Sequence, residues 1–359
     1  VEYSYKFRIY PTKSQEELIQ KTFGCCRFVY NYFLTRRKDV YNTTKKVLGF
    51  YACSKELTQL KQINLWLTEV DSYSLETSIK DLDYSFKNFF RRIKTGEAIG
   101  FPQFKSKRSS RKSYRTRNLA KDNNIRFEGR NIRLPKLGLV KCRVSKEVKG
   151  RILSATVSQN PSGKYFVALC CTDVEMDPLH STGAVVGLDM GLKSFAITSD
   201  GAEYPNHKFL NKSTRKLSRL QRQLSRKSKG SKRREKARVK VARLQEHVAN
   251  QRQDTLHKLS TQLVRDYGLI SIEDLAPKNM VKNHSLARSI SDASWGEFRI
   301  QLEYKASWYG TQVVTVDRFF PPSQLSSACG TPCPGTKALS VRESTHPPCV
   351  PTDAAYVHP

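Results

Sequence analysis

Two carboxylates stand where apolar strands run out. Val185-Val186-Gly187-Leu188-Asp189-Met190-Gly191-Leu192-Lys193 delivers Asp189 at the end of an apolar run, and a second apolar stretch, Ser194-Phe195-Ala196-Ile197-Thr198, follows it. Leu269-Ile270-Ser271-Ile272-Glu273-Asp274-Leu275 repeats the arrangement with Glu273. Acids at strand ends are hard oxygen ligands for a divalent cation, and two Mg²⁺ ions about 4 Å apart activate water and stabilise the leaving oxygen of a phosphodiester. Chemistry of this kind usually needs a third acid. By residue type alone the pair reads equally well as ordinary surface acids, because neither motif is specific in isolation.

The rest of the chain points to the substrate class. Among 359 residues, 63 Lys and Arg face 32 Asp and Glu, a net charge of +31. That balance predicts a polyanionic partner, with nucleic acid first and an anionic membrane surface second. With 38% hydrophobic and 26% charged residues, most of the chain should fold, and its length allows two or three domains. No apolar run reaches the roughly 18 residues that span a bilayer. Val1-Glu2-Tyr3-Ser4-Tyr5-Lys6 carries no apolar signal core, so the expected location is the cytoplasm. Of nine cysteines, the adjacent pairs Cys25-Cys26 and Cys170-Cys171 are expected to be reduced core residues.

Several elements must position the acids and the charge. Tyr3, Tyr5, Phe7 and Ile9 alternate with polar residues up to Pro11, which predicts a half-buried strand. Thr12 or Ser14 then caps a helix with Leu18, Ile19, Phe23 and Cys26 on one face. Helical patterns recur over residues 28–40, 54–60 and 72–90, the last with Leu75, Ile79, Leu82, Phe86 and Phe89 on one stripe. Residues 13–95 thus read as a helical insert after the first strand. Strand patterns at 124–127, 131–134, 140–144, 152–159 and 164–171, with a turn at Asn160-Pro161-Ser162-Gly163, predict a β-barrel or sheet completed by the first strand. Beyond residue 182, the Asp189 strand should pair with residues 195–198 across a short turn. A helical hairpin follows, with Leu217, Leu220 and Leu224 on one arm and Val241, Leu244, Val248, Leu256, Leu259 and Leu263 on the other. Ser228-Lys229-Gly230-Ser231 breaks it. The helix should end at Gly268, ahead of the strand to Glu273. A helix from Ser294-Trp295-Gly296-Glu297-Phe298 to Trp308, stopped by Gly310, and a strand over 311–316 complete an α/β layer with acids at strand ends.

Two basic segments are candidate nucleic-acid contacts. Over residues 100–117, Phe101, Phe104 and Tyr114 alternate with Lys105, Lys107, Arg108, Arg111, Lys112 and Arg115, so that rings can stack on bases while cations hold phosphates. A solvated basic loop is the plainer reading. Residues 212–243 hold 15 Lys and Arg against one acid, Glu235. Its contact candidates are Arg215, Arg219, Arg222, Arg226, Lys232, Arg233, Arg234 and Arg238, a backbone-tracking surface whose binding weakens steeply with salt. The alternative is a solvated helix face.

Taken in order, the motifs resemble the transposon-encoded TnpB proteins over nearly the whole chain. The resemblance rests on Tyr5-Lys6-Phe7-Arg8-Ile9-Tyr10-Pro11-Thr12, Asp71-Ser72-Tyr73-Ser74-Leu75, Asp81-Leu82-Asp83 and residues 100–107. It continues through Gly187-Leu188-Asp189-Met190-Gly191, Ile272-Glu273-Asp274-Leu275, Ser294-Trp295-Gly296-Glu297-Phe298 and Asp317-Arg318-Phe319-Phe320-Pro321. The family looks like the ancestor of type V CRISPR effectors. The resemblance implies an RNA-guided DNA endonuclease of multidomain α+β class. A wedge-type β-barrel (1–12 and 96–182) would carry a helical recognition domain (13–95). An RNase H-like (RuvC) α/β nuclease domain (183–320) would contain the basic hairpin (212–267), and a degenerate zinc ribbon (321–359) would follow. It also implies Mg²⁺ at Asp189 and Glu273, a guide RNA, a double-stranded DNA target read beside a short flanking motif, and no membrane. The sequence carries no signal of oligomeric state.

The C-terminal residues depart from the family pattern. Residues 319–330 carry serine at the first zinc-ligand position, and the second knuckle reads His346-Pro347-Pro348-Cys349. Cys329, Cys333, His346 and Cys349 are the candidate Zn²⁺ ligands, against free thiols in a decayed ribbon. The third family acid falls near Asp353, which sits close to Cys349, while an ungapped reading puts Tyr356 there. Asp317 is the fallback, and the helix expected after Ala355 has no residues left to form it. Three rivals therefore stand beside a guided nuclease: a nuclease-impaired guided binder acting as a repressor, a type V-like effector with a CRISPR guide, and an unguided nucleic-acid binder.

Overall fold

The computed structural model describes residues 1–98, 100–108, 111–119, 121–176, 178 and 183–316. The chain divides into two compact units, Val1–Asp177 with Lys212–Gln251, and Pro178–Asn211 with Arg252–Pro359.

In the first unit, strand β1 (Tyr3–Tyr10) buries Tyr5, Phe7 and Ile9 and turns Lys6 and Tyr10 outward. Helix α1 (Lys13–Thr44) begins at Thr12, whose Oγ1 accepts from Gln15 N while the Gln15 side chain accepts from Thr12 N at 3.0 Å, a capping box. The two helical patterns on either side of Arg27 are one helix. Ile19, Phe23, Val29, Phe33 and Leu34 are all buried along it, and each such side chain contributes more than the roughly 1 kcal/mol that mid-helix Gly24 costs. Helix α2 (Phe50–Ile63) and helix α3 (Ser72–Thr95) follow. Asp71 caps α3, Leu75, Ile79 and Leu82 bury its predicted face, and Gly96 ends it at φ 66°, a conformation glycine adopts without strain.

The strands β2 (Ser113–Arg117), β3 (Arg126–Glu128), β4 (Asn131–Leu134), β5 (Gly138–Arg143), β6 (Arg151–Gln159) and β7 (Tyr165–Thr172) join β1 in a seven-stranded sheet of order β2-β6-β7-β1-β5-β4-β3. β1 lies in the middle, antiparallel to both β7 and β5, as its apolar alternation anticipates. The edges are β2 and β3, so the described strands form a half-barrel where a barrel was expected. Helices cover what the strands leave open. The Phe23 ring of α1 meets Tyr114 of β2 at 5.9 Å, and Asp71 accepts from Thr116 Oγ1 at 2.7 Å. Helices and sheet share one apolar core, so the insert packs within the same unit as the strands. β2 had been read as a basic segment, yet its Tyr114 and Thr116 face inward and Arg115 and Arg117 outward.

In the second unit, β8 (Val185–Asp189) and β9 (Ser194–Thr198) form the expected hairpin, with Asp189 opposite Ile197. β10 (Glu203–Pro205), not anticipated from sequence, extends it. Helices α4 (Phe209–Ser225) and α5 (Lys232–Asp266) are the arms of the basic hairpin, with Gly230 at φ 85° between them; their residues 212–251 belong to the first unit, and only the start of α4 and the last part of α5 to the second. α5 stops two residues short of Gly268. β11 (Leu269–Glu273), the short helices α6 (Pro277–Met280) and α7 (Ala287–Ala293), helix α8 (Trp295–Tyr309) and β12 (Gln312–Val316) complete the unit. The sheet order is β10-β9-β8-β11-β12. β8, β11 and β12 are parallel, β9 runs antiparallel to β8, and β10 pairs antiparallel with β9 at the edge. Val186, Leu188, Ile270 and Ile272 meet Leu259, Leu263, Phe298 and Leu302 in its core.

Cys25, Cys26, Cys53, Cys142 and Cys171 are buried free thiols and Cys170 is half-buried, as expected of core residues. Among the described residues, no helix is long and apolar enough to cross a membrane.

Candidate active site and nucleic-acid interface

Parallel pairing of β8 and β11 brings the two acids together. Leu188 and Ile272 are register partners, and Asp189 and Glu273 are the next residue on each strand, where neighbouring strands run about 5 Å apart. Val186, Leu188, Ile270 and Ile272 are buried, which fixes this register, since a one-residue slip would expose all four. The turn behind Asp189 is tight. Gly191 N donates to Phe195 O at 3.3 Å, and a Cβ on Gly191 would lie 3.1 Å from Ser194 O.

Burial pushes the Glu273 carboxyl above its usual range, and the negative charge of Asp189 adds to the rise. Among the described residues, no cation pairs with Asp189 or Glu273. The adjacent Asp274 differs, because Arg299 Nη1 pairs with it at 2.9 Å and Nε with Glu303 at 2.8 Å. Among the described residues Glu273 and Asp189 thus form an acid pair without a countercharge, the donor set a hard divalent cation fits. Among the described residues, no group of three His, Cys, Asp or Glu is placed to hold a metal. Asp317 and Asp353, and the zinc candidates Cys329, Cys333, His346 and Cys349, lie outside the described residues.

The aromatic and basic segment resolves into distinct roles. Tyr114 is 6% exposed, so its ring is a core ring and cannot stack on a base, which corrects the sequence reading. Phe101 packs edge-on against Phe86 and Phe89 at 5.5 and 5.2 Å, leaving Phe104, at 54% exposure, as the ring on offer. Lys105 is fixed by reciprocal bonds with Asn31 at 2.9 Å and holds Nζ 3.9 Å from the Tyr30 ring centre. Burial lowers its ammonium pKa. A cavity of about 660 Å³ is lined by Arg27, Lys105, Lys107, Arg111, Lys112 and Arg115. Its one acid, Asp81, is paired with Arg115 at 2.8 Å. Arg108 is exposed nearby.

On the hairpin, Arg215, Arg219, Arg222, Arg226, Lys232, Arg233 and Arg238 are exposed. Arg238 pairs with Glu235. Arg234 is the exception to the contact list, because its Nη1 donates to Leu224 O and Lys227 O, both at 2.8 Å, and so closes the hairpin turn. In the first unit, α5 is fastened to the β6–β7 turn through Glu246, which pairs with Lys164 at 2.7 Å and accepts from Asn160 at 3.2 Å. Sequence reasoning missed a further basic feature. Arg8 and Arg143 are direct cross-strand partners on β1 and β5. Like charges so placed are destabilising unless an anion lies over them. Only the strand register reveals the pair.

Comparison with known proteins places this arrangement in a family. Residues 168–284 match a family described as "Probable transposase", residues 295–354 a "Cas12f1-like, TNB domain", and residues 1–46 a "Helix-turn-helix domain". Those first residues fold here as β1 and the single helix α1. A Streptomyces pristinaespiralis protein named "Putative RNA-guided DNA endonuclease" is 38% identical over 96% of this chain and 84% of its own. "Putative RNA-guided DNA endonuclease InsQ" of Escherichia coli (strain K12) is 35% identical over 91% of this chain and 82% of its own. The chain belongs to the TnpB family. A solved Cas12f1–sgRNA–target DNA complex aligns over 92% of each chain at 12% identity with a TM-score of 0.48, too distant a likeness to assign residue roles.

Proposed function

We propose that this protein is an RNA-guided DNA endonuclease that cuts at the Asp189–Glu273 pair. The observation that carries the proposal is the juxtaposition of these acids at the ends of adjacent parallel strands, with the Glu273 carboxyl raised by burial and by Asp189. The strand order, an antiparallel hairpin extended by two parallel strands, supports an RNase H-like, RuvC-type reading of the second unit. The names of the relatives support a guide RNA and a DNA target as partners. The charge of +31 and the basic cavity beside Lys105 support phosphate contacts there, with the flanking motif read by the protein and the target by base pairing.

In this mechanism Asp189 and Glu273 would hold Mg²⁺, whose chemistry there would be to lower the pKa of a bound water and to offset charge on the leaving oxygen of the phosphodiester. The chain's own work is positioning. Apolar packing of Leu188 and Ile272 fixes where the carboxylates stand. Arg299 keeps Asp274 engaged beside them. Asp353, or failing it Asp317, is the proposed third ligand, and Cys329, Cys333, His346 and Cys349 the proposed Zn²⁺ ligands of the ribbon.

A second reading, guided binding with little cutting, is favoured by one observation. Where the family pattern puts its third acid, the sequence offers only Asp353, close to Cys349, or Tyr356 in an ungapped reading. One experiment separates the two. The protein is expressed with its native flanking locus, the co-purifying RNA is sequenced, and a matched duplex is offered in Mg²⁺. A discrete RNA and cleavage that Asp189→Ala abolishes support the nuclease. A discrete RNA with stable target binding and intact strands supports the binder. A smear of cellular RNA excludes guiding.

A further inference from the structure

We propose that Asp292 is a positioning residue that clamps the root of the basic hairpin to the loop behind Asp189. The inference rests on the reading of Asp189 as a cutting residue. Asp292 lies at the end of α7 and is 7% exposed. A carboxylate so buried persists only when its oxygens are satisfied, and here the donors come from two distant segments. Leu210 N, in the first turn of α4, donates to Oδ2 at 2.9 Å and to Oδ1 at 3.2 Å. Arg252 Nη2, midway along α5, donates to Oδ1 at 2.8 Å. One side chain therefore caps the helix that leaves and grips the helix that returns. A cap supplied by a neighbouring helix fixes direction as well as satisfying an orphan N–H.

The same root reaches the candidate cutting site. Asn206, just ahead of α4, donates through Nδ2 to Leu192 O at 3.0 Å, in the loop that follows Asp189. Its Oδ1 accepts from Lys208 N at 3.3 Å, and Lys208 sits at φ 49°, so the approach to α4 is tightly specified. Beside this junction is a cavity of about 180 Å³ bounded by Phe195, Asn206, Arg252 and Asp292. Without the clamp, the first turn of α4 has free space into which it can shift, and the Asn206–Leu192 bond shifts with it. In the sequence Asp292 lies two residues before the Ser294-Trp295-Gly296-Glu297-Phe298 motif, and only the fold supplies its partners.

The test uses the RNA-loaded full chain on a matched duplex at saturating target. Small displacements of positioning groups cost up to about a hundredfold in rate, so Asp292→Ala is expected to slow cutting by about tenfold to a hundredfold with target affinity unchanged. Asp292→Asn keeps an acceptor for Leu210 N and is expected to recover most of the rate. Hydrogen exchange at the Leu210 amide, measured on protein without target, should be faster in Asp292→Ala and close to the parent in Asp292→Asn. Wild-type rate in Asp292→Ala, loss of affinity in step with rate, or unchanged exchange at Leu210 overturns the proposal. Should Asp292→Ala not fold, Arg252→Gln replaces it, with slower cutting at unchanged affinity supporting the clamp and an unchanged rate overturning it. If the parent does not cut, or Asp189→Ala cuts as well as the parent, the functional reading fails instead, and the exchange measurement alone decides the clamp.

Discussion

Glu273 stands beside Asp189 because Ile272 and Leu188, one residue earlier on each strand, are register partners on parallel strands. Buried apolar side chains thus force two like charges together, and the cost is visible in the raised Glu273 carboxyl. Tension of this kind between stability and chemistry is common where a site awaits a cation.

Glu273→Gln removes the repulsion without changing shape. In metal-free buffer it should raise stability, by less than about 1 kcal/mol after solvent screening, while cutting falls below detection. Calorimetry in chelator, beside a cleavage assay in Mg²⁺, checks both. A variant less stable than the parent would contradict the acid-pair account.

On the proposed reading the exposed hairpin cations hold phosphate, whereas Arg234 bonds to its own chain. Replacing Arg215, Arg219 and Arg222 together by Ala should weaken nucleic-acid binding and lower the slope of log affinity against log salt by roughly two to three units. Arg234→Ala should instead loosen the turn, read as faster proteolysis near Gly230, with a smaller change in the salt slope.

Tyr114 and Phe104 should separate cleanly. Tyr114→Ala empties a core site and is expected to cost about 3–5 kcal/mol of stability. Phe104→Ala leaves stability within about 0.5 kcal/mol and weakens binding to single-stranded nucleic acid by about 1–3 kcal/mol if the ring stacks on a base. Thermal melts and a binding titration on the two variants decide this.

Glu246 gives the attachment of α5 to the β6–β7 turn a pH dependence. Burial alone would raise its carboxyl, but the Lys164 ammonium beside it and the hydrogen bond from Asn160 bring it below the ordinary value. The folded state therefore binds the proton less tightly than the unfolded one. Its contribution is present in full above the unfolded glutamate value of about 4.3 and is lost as pH falls through the lower folded value. Glu246→Gln should cost about 1–2 kcal/mol at neutral pH, allowing for screening, and the gap from the parent should close below about pH 4. Paired denaturation curves across pH 3–7 measure it.

Much of the architecture is written locally in the sequence. The alternation in β1, the stripe Leu75, Ile79 and Leu82 of α3, the hairpin arms and the Gly310 stop are each read within a few residues, because side-chain period and backbone punctuation are properties of the neighbouring chain. Asp189 and Glu273 were legible in the same way, as the acids that end apolar runs. β2 reads as part of a basic contact segment because Ser113-Tyr114-Arg115-Thr116-Arg117 shows its alternation only once its partner strand is known.

What the tertiary structure decided is whatever depends on the approach of distant segments. Parallel pairing made two separate acids into neighbours, the candidate site. The packing of α1 on β2 took Tyr114 from the interface into the core. The fold of the hairpin turned Arg234 inward, and the return of α5 past α7 gave Asp292 its partners. The sequence determines which residues are apolar, charged or able to turn the chain. Which of them meet is set by the one packing that buries the apolar faces together and leaves few buried polar groups unpaired, and that is a property of the whole chain.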